Sequence, residues 1–374
     1  MRKYLLIFEN GEFIVQDGEP KNLTEELVLV RFVLETHGKK EYSELEIYTL
    51  SDELVDSCFV CNKGENVAVQ TQFGIENERK FIALSILNND HEDFEISAIS
   101  FEKAKDNLFD GGVLYQLAPV AALNMSYVFV TKQGKVLVFD GGREFDEPRL
   151  TAFIQTLGGV VEHWFITHYH DDHIRALMEI FKKQSLGVKN IYFHFPPVEL
   201  LSDRGDSNNS LVSEFTGLIP HSVTRHTAKK GLTVCVDEAT ITVLNDACFE
   251  KGDNFVNDSS VCFKLSVNKT NVLFTGDLGI KGDDYLLEDD FVAQIKDCNV
   301  VQMAHHGQSG VSKKFYEATG VEICLYPTAK WLWNNDKGDG KNSCTWKTLK
   351  TREWMREMKV IKSYPALEEV VRIK

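Results

Sequence analysis

Short apolar runs separated by polar, turn-forming segments dominate the first part of the chain. Such runs occupy residues 27–34, 67–72 and 81–87, and Gly, Asn and Asp separate them. Runs of this kind are typical of β-strands, and no convincing helical period occurs before residue 108. The pattern predicts a β-rich accessory domain over residues 1–108. Substrate recruitment, dimerisation and simple packing all remain open as its function.

Strands and helices alternate after a turn-rich patch at residues 109–112. Residues 160–167 predict a buried strand, and apolar positions then recur at helical spacing over residues 174–181. Another apolar strand follows at residues 190–194. The order strand, helix, strand is typical of a layered α/β unit, so we predict a second domain over residues 109–374.

Four candidate metal ligands lie within six residues where the strand at 160–167 meets the helix: His168, His170, Asp172 and His173. Imidazole and carboxylate groups bind borderline divalent cations, and a set without cysteine is typical of catalytic zinc sites. A lone histidine is usually an ordinary polar residue. A buried cluster without a cation, however, would leave several polar atoms competing for few partners. The cluster therefore predicts metal binding, and zinc, manganese and iron all accept these ligands.

Composition narrows the classes of partner. The 374 residues are 43% hydrophobic, which supports a substantial core, and their formal charge is −15. Such an acidic chain repels polyphosphate, so a nucleic-acid polymer is disfavoured and a small-molecule substrate fits better. No apolar run is long enough for a signal peptide or a membrane span, which indicates a cytoplasmic protein. The close pair Cys58 and Cys61 is expected to lie on a strand rather than in a zinc ribbon.

The motif His168-x-His170-x-Asp172-His173 resembles the signature of the metallo-β-lactamase superfamily. Further landmarks follow the family order. They are a strand that ends in Asp140-Gly141, a strand that ends at Asp277, and the segment Met303-Ala-His-His-Gly307. The resemblance covers about residues 110–330. It implies an α/β (α+β) fold, a four-layer αββα sandwich, preceded here by the smaller β-rich domain.

The resemblance also implies roles for the candidate ligands. One cation would be held by His168 and His170, and a second by Asp172 and His173 together with His306, while Asp277 bridges the two. Asp140 is either a residue that orients the ligands, as in the family, or a turn residue before Gly141. One or two zinc ions are expected per chain, with manganese or iron as the alternatives.

Other candidates are less constrained by the motif. The usual Gly-His pattern between the first cluster and Asp277 is missing, and Asn257 or Asp258 is a candidate to complete or polarise the site. Side chains alternate along a strand, so we expect one of His305 and His306 to face the metals. We favour His306, which leaves His305 to protonate a leaving group.

Four of the five tryptophans lie close together near the C-terminus, from residue 331 to residue 354. Trp331 and Trp333 are either an aromatic wall that binds substrate beside the metals or ordinary core residues.

These features predict a metal-dependent hydrolase that uses a metal-bound hydroxide. The closing motifs, His305-His306-Gly307 and Asn257-Asp258-x-Ser260, resemble the branch of the competence-channel soluble domain and the phosphorylcholine esterases. That branch favours a small phosphoester or phosphodiester, with Asp172 and His305 in the catalytic machinery. Two alternatives stay open: an acyl hydrolase acting on a lactone, β-lactam or thioester, and a non-catalytic module that binds a metal or a partner. The oligomeric state is also open.

Overall fold

The structure is a computed structural model that divides into two compact units, Met1–Asp106 and Asn107–Lys374. In the first unit it describes the strand segments within residues 3–102; in the second it describes residues 108–201, 209–250, 252, 254–340, 342–367 and 370–373. Cys61 lies outside the described residues, whereas Cys58 begins a short strand. The accessory role of the first unit stays a prediction.

The described part of the first unit consists of strands. They are β1 (Lys3–Phe8), β2 (Phe13–Asp17), β3 (Leu29–Thr36), β4 (Lys39–Ile47), β5 (Thr49–Leu50), β6 (Glu53–Leu54), β7 (Cys58–Val60), β8 (Asn66–Glu76), β9 (Arg79–Ile86) and β10 (Glu95–Glu102). They form a five-stranded sheet in the order β2-β1-β9-β8-β7, a three-stranded sheet in the order β10-β3-β4, and the pair β5-β6.

The second unit contains strands in two sheets. The strands are β11 (Val113–Gln116), β12 (Ser126–Val130), β13 (Val136–Asp140), β14 (Val160–Phe165), β15 (Gly187–Phe193), β16 (Thr224–Thr227), β17 (Thr233–Val236), β18 (Ala239–Val243), β19 (Phe263–Val267), β20 (Thr270–Phe274), β21 (Val300–Gln302), β22 (Ile323–Tyr326), β23 (Lys362–Pro365) and β24 (Val371–Ile373). The first sheet has the order β16-β15-β14-β13-β12-β11-β24, and the second has the order β17-β18-β19-β20-β21-β22-β23.

Helices connect these strands. They are α1 (Glu147–Thr156), α2 (Asp171–Lys183), α3 (Asn209–Leu218), α4 (Phe255–Asp258), α5 (Ile280–Leu286), α6 (Asp289–Ile295), α7 (Lys313–Glu317), α8 (Lys330–Trp333) and α9 (Thr348–Glu357). Among the described residues, no helix is both long and apolar enough to cross a bilayer. A cytoplasmic location stays a prediction.

Aromatic side chains fill the space between the two sheets. Phe139 of β13 stacks on Phe274 of β20 with ring centroids 4.1 Å apart, and Phe165 lies 5.4 Å from Phe263. Each aromatic pair contributes about 0.5–1.5 kcal/mol beyond the area that it buries. These contacts hold the inner faces of the two sheets together.

The outer face of each sheet is covered by helices. Apolar side chains of α1, α2 and α3 pack with β12, β13 and β14 on the first sheet. On the second sheet, side chains of α5, α6, α7 and α9 pack with β20, β21 and β22. The layers are therefore helices, sheet, sheet, helices, and the predicted α/β fold with two sheets is confirmed.

Candidate metal centre

The candidate ligands meet at one edge of the sandwich, where strands from both sheets end. Asp140 is the last residue of β13, and His168 follows the end of β14. In the second sheet, Asp277 follows β20 and His305 follows β21. Parallel neighbours end at the same edge of a sheet, so four separate chain segments deliver side chains to one place. Residues more than a hundred positions apart in sequence become neighbours there.

The first cluster lies at the start of helix α2. His170 occupies the N-cap position, and Asp171 and Asp172 stand in the first turn, where the positive end of the helix dipole stabilises carboxylates. The apolar face predicted for this helix is buried, from Ile174 to Phe181. Gln184, in the left-handed conformation, ends the helix. Burial of the apolar face fixes the rotation of the helix and so turns Asp172 and His173 inward.

Asp140 holds the first cluster in position. Its two carboxylate oxygens accept hydrogen bonds from the backbone N–H and the hydroxyl of Thr167, each 2.8 Å long. The Oδ2 atom also lies 2.9 Å from Nδ1 of His173. This contact fixes the imidazole so that Nε2 points into the cluster. These contacts are consistent with the orienting role for Asp140, which stays a prediction. Thr167 was not predicted as part of the site.

Two groups of buried ligand atoms result. One group is His168, His173 and Asp277, and the other is Asp172, His173 and His306. Within each group the ligand atoms lie within 4.8 Å of one another. Nε2 of His306 lies 3.2 Å from Asp172 Oδ2 and 3.5 Å from Asp277 Oδ2, while His173 Nε2 lies 3.3 Å from Asp277 Oδ1. The two sheets thus contribute to a single cluster.

Unsatisfied polar atoms show that the cluster suits a cation. Among the described residues, the buried atoms without a hydrogen-bond partner include His173 Nε2, His306 Nε2 and Asp277 Oδ1. A buried polar atom without a partner costs about 1–3 kcal/mol. These three atoms belong to the groups that converge, and they are nitrogen and oxygen donors of the kind that zinc binds. A divalent cation would satisfy all of them.

Burial and neighbouring charges shift the pKa values of these residues. Burial, together with His173 and His170, holds the pKa of His168 well below its ordinary value, so its imidazole is neutral and ready to bind a cation. Burial also acts to lower the pKa of His306, but Asp277 and Asp172 raise it to about 10. Burial acts to raise the pKa of Asp277, and His306 and His173 nevertheless hold it well below the usual range. A cation at His306 must therefore displace a proton.

The second half of the cluster has an irregular backbone. Strand β21 ends at Gln302, and His305, His306 and Gly307 all have positive φ angles, of 52°, 58° and 77°. The expectation that strand alternation would separate the two histidines is therefore wrong, because these residues form a left-handed turn rather than a strand. Nε2 of both side chains approaches Asp277 Oδ2, at 3.8 Å for His305 and 3.5 Å for His306.

Burial distinguishes the two histidines. The side chain of His306 is fully buried, whereas that of His305 is 22% exposed. Nδ1 of His306 lies 2.7 Å from the carbonyl oxygen of Pro327, which leaves Nε2 for the cluster. His305 reaches the surface of the site, where a substrate can approach.

Hydrogen bonds from Gln302 tie the turn to the loop that carries Asp277. Its side chain accepts the N–H of Thr275 at 2.7 Å and donates to the carbonyl oxygen of Gly276 at 3.1 Å. The backbone N–H of His305 donates to the same Gly276 oxygen. A Cβ atom at Gly307 would lie 2.4 Å from Tyr326 Cδ1, so the turn needs glycine there. Gln302 was not predicted from the sequence; a buried polar residue inside an apolar strand was its signal.

Asn257 and Asp258 have different surroundings. Asp258 is the last residue of α4, and its carboxylate accepts backbone hydrogen bonds from Gly279 and Gly282 at the start of α5. It belongs to neither ligand group. Burial raises the pKa of Asp258. Asn257 is buried, and its Oδ1 atom has no hydrogen-bond partner among the described residues. The Oδ1 atom of Asn257 could therefore act as a ligand atom, whereas the carboxylate of Asp258 is engaged by hydrogen bonds at the start of α5.

The two predicted tryptophans also differ. Trp333 packs edge-on against Tyr326, and the guanidinium of Arg352 lies 3.8 Å from the centre of its ring. These contacts make Trp333 part of the core behind the left-handed turn. Trp331 is half-buried and pairs with Trp346 at 5.0 Å. Contact of Trp331 with a substrate stays a prediction.

Comparison with known proteins agrees with this geometry. The family model of the metallo-beta-lactamase superfamily matches residues 122–200, the segment that contains Asp140 and the first ligand cluster. No curated protein matches the chain in sequence.

Solved structures with a similar fold were also found. The metallo-beta-lactamase fold protein YhfI from Bacillus subtilis is 12% identical, covers 70% of this chain and 100% of its own, and has a TM-score of 0.44. Igni18, described as a metallo hydrolase from Ignicoccus hospitalis, is 12% identical over 70% of this chain and 99% of its own, with a TM-score of 0.42. A diphosphatase from the PhnP family is 11% identical over 57% and 85%, with a TM-score of 0.36. The family model supports a likeness of residues 122–200 to the metallo-β-lactamase superfamily, and the buried histidine and aspartate cluster includes residues of that segment.

Proposed function

We propose that the second unit is a metal-dependent hydrolase that acts on a small phosphoester or phosphodiester. The observation that carries this proposal is the convergence of unpartnered, buried donor atoms from His173, His306 and Asp277. Buried polar groups with a purely structural role rarely lack a hydrogen-bond partner, whereas the ligand atoms of a metal site are kept for a cation.

The donor set supports two cation positions. Nδ1 of His173 is engaged by Asp140, so this residue offers only Nε2, and one nitrogen binds one cation. If His173 joins Asp172 and His306, the other position needs a further ligand beside His168. His170 is the candidate, because its Nδ1 lies 3.0 Å from His168 Nε2. Asp277 lies against both groups and is suited to bridge them.

The neutral oxygen of Asn257 is a candidate additional ligand, in the place of the histidine that the family pattern lacks here. Zinc is the metal that we expect for this mixed nitrogen and oxygen set, with manganese or iron as alternatives. If bound, a cation of this type would supply Lewis-acid chemistry: it would lower the pKa of water to about 7 and polarise the oxygen of the group under attack.

The side chains around the cluster have separate tasks in the proposed reaction. Asp140 keeps His173 oriented, and the carboxylates of Asp172 and Asp277 balance positive charge in a buried site. His305 is the partly exposed histidine, so we assign it to protonate the leaving group. Trp331 would contact the organic part of the substrate.

The substrate class rests on the closing motifs. The segments at residues 305–307 and 257–260 resemble the branch of the competence-channel soluble domain and the phosphorylcholine esterases. The net charge of −15 disfavours a long polyanion such as DNA and leaves a small phosphoester as the better fit.

Turnover of simple substrates tests this proposal. Zinc-loaded protein should hydrolyse bis(p-nitrophenyl) phosphate or p-nitrophenyl phosphate, and His168→Ala should abolish turnover. His221→Ala, at an exposed histidine, is the matched control and should retain it. Faster turnover of a lactone or a chromogenic β-lactam would instead identify an acyl hydrolase. Metal binding without turnover of any of these would indicate a non-catalytic module. Less than one equivalent of metal, with no effect of His168→Ala, would contradict the proposal.

A further inference from the structure

The loop after β13 is held tightly against helix α2. The carbonyl oxygen of Gly142 accepts the backbone N–H of Ala176, and the N–H of Arg143 donates to Asp146 Oδ2 at 3.0 Å. The other oxygen of Asp146 accepts the N–H of Val120 at 2.9 Å. The backbone of Arg143 is therefore fixed from both sides, and its side chain starts from a defined position beside the first turn of α2.

The guanidinium of Arg143 spans two neighbouring carboxylates. Its Nη1 atom forms an ion pair with Asp171 Oδ2, and its Nη2 atom lies 3.7 Å from Asp172 Oδ2. That same oxygen of Asp172 lies 3.2 Å from Nε2 of His306. Asp171 is itself held, because its Oδ1 accepts the backbone N–H of Asp172 at 3.0 Å. Arg143 therefore acts on the one oxygen of Asp172 that faces the second sheet.

We infer that Arg143 and Asp171 form a positioning pair that fixes the carboxylate of Asp172 for cation binding. This inference rests on the metal site proposed above. A planar guanidinium can hold two carboxylates in a fixed mutual orientation, which a flexible ammonium cannot do. Both terminal nitrogens of Arg143 lie near these carboxylates, and three quarters of the side chain is buried.

Charge alone does not account for the arrangement. A cation beside a metal ligand would repel a divalent metal, which would weaken binding. The carboxylate of Asp171 pairs with Arg143 and largely cancels that charge, so the orientation of Asp172 is the effect that remains. Residues that orient a metal ligand typically change metal affinity about 10- to 100-fold when they are replaced.

Two variants separate orientation from charge. Arg143→Lys keeps the charge but cannot span two carboxylates, and the double variant Arg143→Met/Asp171→Asn removes both charges and leaves the local net charge unchanged. We expect each to weaken zinc binding at the Asp172 position about 10- to 100-fold in chelator competition. The d–d absorption of the cobalt-substituted protein should change as well, since it reports ligand geometry. The matched control is Arg175→Met on helix α2, which also carries Asp171 and Asp172. The guanidinium of Arg175 lies 3.8 Å from Glu214 and not from these carboxylates.

The possible results are distinct. Wild-type zinc affinity and an unchanged cobalt spectrum in both variants would overturn the inference. Thermal melting of the metal-free variants, compared with Arg175→Met, shows whether they fold; a conservative lysine at a position 25% exposed is expected to be tolerated. If the unsubstituted protein binds no zinc, the proposed metal site is itself wrong, and that failure is seen before any substitution is made.

Discussion

The two halves of the ligand cluster are built in different ways. The half from the first sheet sits at the start of a regular helix, and a single carboxylate, Asp140, holds it. The half from the second sheet depends on a left-handed turn at His305, His306 and Gly307, which Gln302 ties to the neighbouring loop. Regular structure places the first set of ligands, although Asp140, which holds them, has a positive φ of 55°. The second set needs an unfavourable backbone that the surrounding tertiary contacts must hold.

This difference indicates which half of the site should tolerate substitution better. In the first half, ligands adjacent in sequence converge through local structure. In the second half, Asp277 and His306 are 29 positions apart (306 − 277) and meet only because β20 and β21 are parallel neighbours. We therefore expect the second half to be the more sensitive to substitution, and the following predictions test that contrast.

The largest effect is expected for Asp277→Asn. This carboxylate lies against His173 of the first half and His306 of the second, and the asparagine removes its charge while keeping its shape. Turnover of bis(p-nitrophenyl) phosphate should fall on the order of 10³-fold, equivalent to about 4 kcal/mol, with loss of bound zinc. Asp297→Asn, at an exposed carboxylate paired with Lys264, should retain both properties. A zinc-replete, active Asp277→Asn protein would remove the proposed bridge between the halves.

The two neighbouring histidines should separate chemistry from metal binding. His305→Ala is expected to lower kcat on the order of 10²-fold while zinc content stays constant, because it removes a proton donor and not a ligand. His306→Ala should instead lose zinc, since its buried Nε2 lies between Asp172 and Asp277. Zinc content and kcat, measured on the same preparations of each variant, show which histidine binds metal and which donates the proton. The opposite pattern, with zinc lost from His305→Ala alone, would exchange the two roles.

A smaller effect is expected in the first half for Asp140→Asn. The Thr167 hydroxyl and His173 share one carboxylate oxygen, and the other oxygen accepts the backbone N–H of Thr167. Asparagine has one acceptor oxygen, so its NH2 group would have to face either that N–H or His173. Zinc affinity should fall about 10- to 100-fold without loss of the fold. Thr167→Ser retains the hydroxyl and should bind zinc with normal affinity. Equal affinity in Asp140→Asn would mean that the helix alone positions His173, which would deepen the contrast between the two halves.

The last prediction concerns pH, whose effect is the smallest when it is counted per pH unit. The pKa of His306 is about 10 in the metal-free fold, above its ordinary 6.5, so its protonated form stabilises that fold at low pH. This stabilisation is complete below about pH 6.5 and is lost as the pH rises toward 10, by up to about 1.4 kcal/mol per pH unit. Urea denaturation of metal-free protein at pH 6.5, 8 and 9.5 measures it, and the loss should be smaller in His306→Gln. It should not vanish, because burial acts to lower the pKa of His173 but Asp277 and Asp140 raise it well above its ordinary value. A free energy of unfolding that rises over this range would contradict the assignment.

Sequence patterns were sufficient for the regular parts of the molecule. The helical spacing from Ile174 to Phe181 and the compact histidine cluster before it predicted α2 and the first half of the site. The same is true of the strands that end at Asp140 and before Asp277. These features are local, so they leave a periodic or motif signal in the chain.

The features of the site that the sequence did not predict depend on contacts between segments that are distant in the chain. Two consecutive non-glycine residues with positive φ, His305 and His306, follow no local rule, and strand alternation failed there. The contact of Arg143 with Asp172 and the bridging hydrogen bonds of Gln302 arise only when separate loops meet. Asp258 was a candidate ligand by its neighbourhood in sequence, but the start of α5 engages it instead.

The placement of candidate ligands on both sheets has a consequence for the whole domain. A cation held at once by Asp172 and His306 would be a cross-link between the two sheets at one edge of the sandwich. By mass action, each hundredfold excess of free ion over its dissociation constant would add about 2.7 kcal/mol to the free energy of unfolding. The availability of metal would then set the stability of the folded domain as well as its catalytic competence.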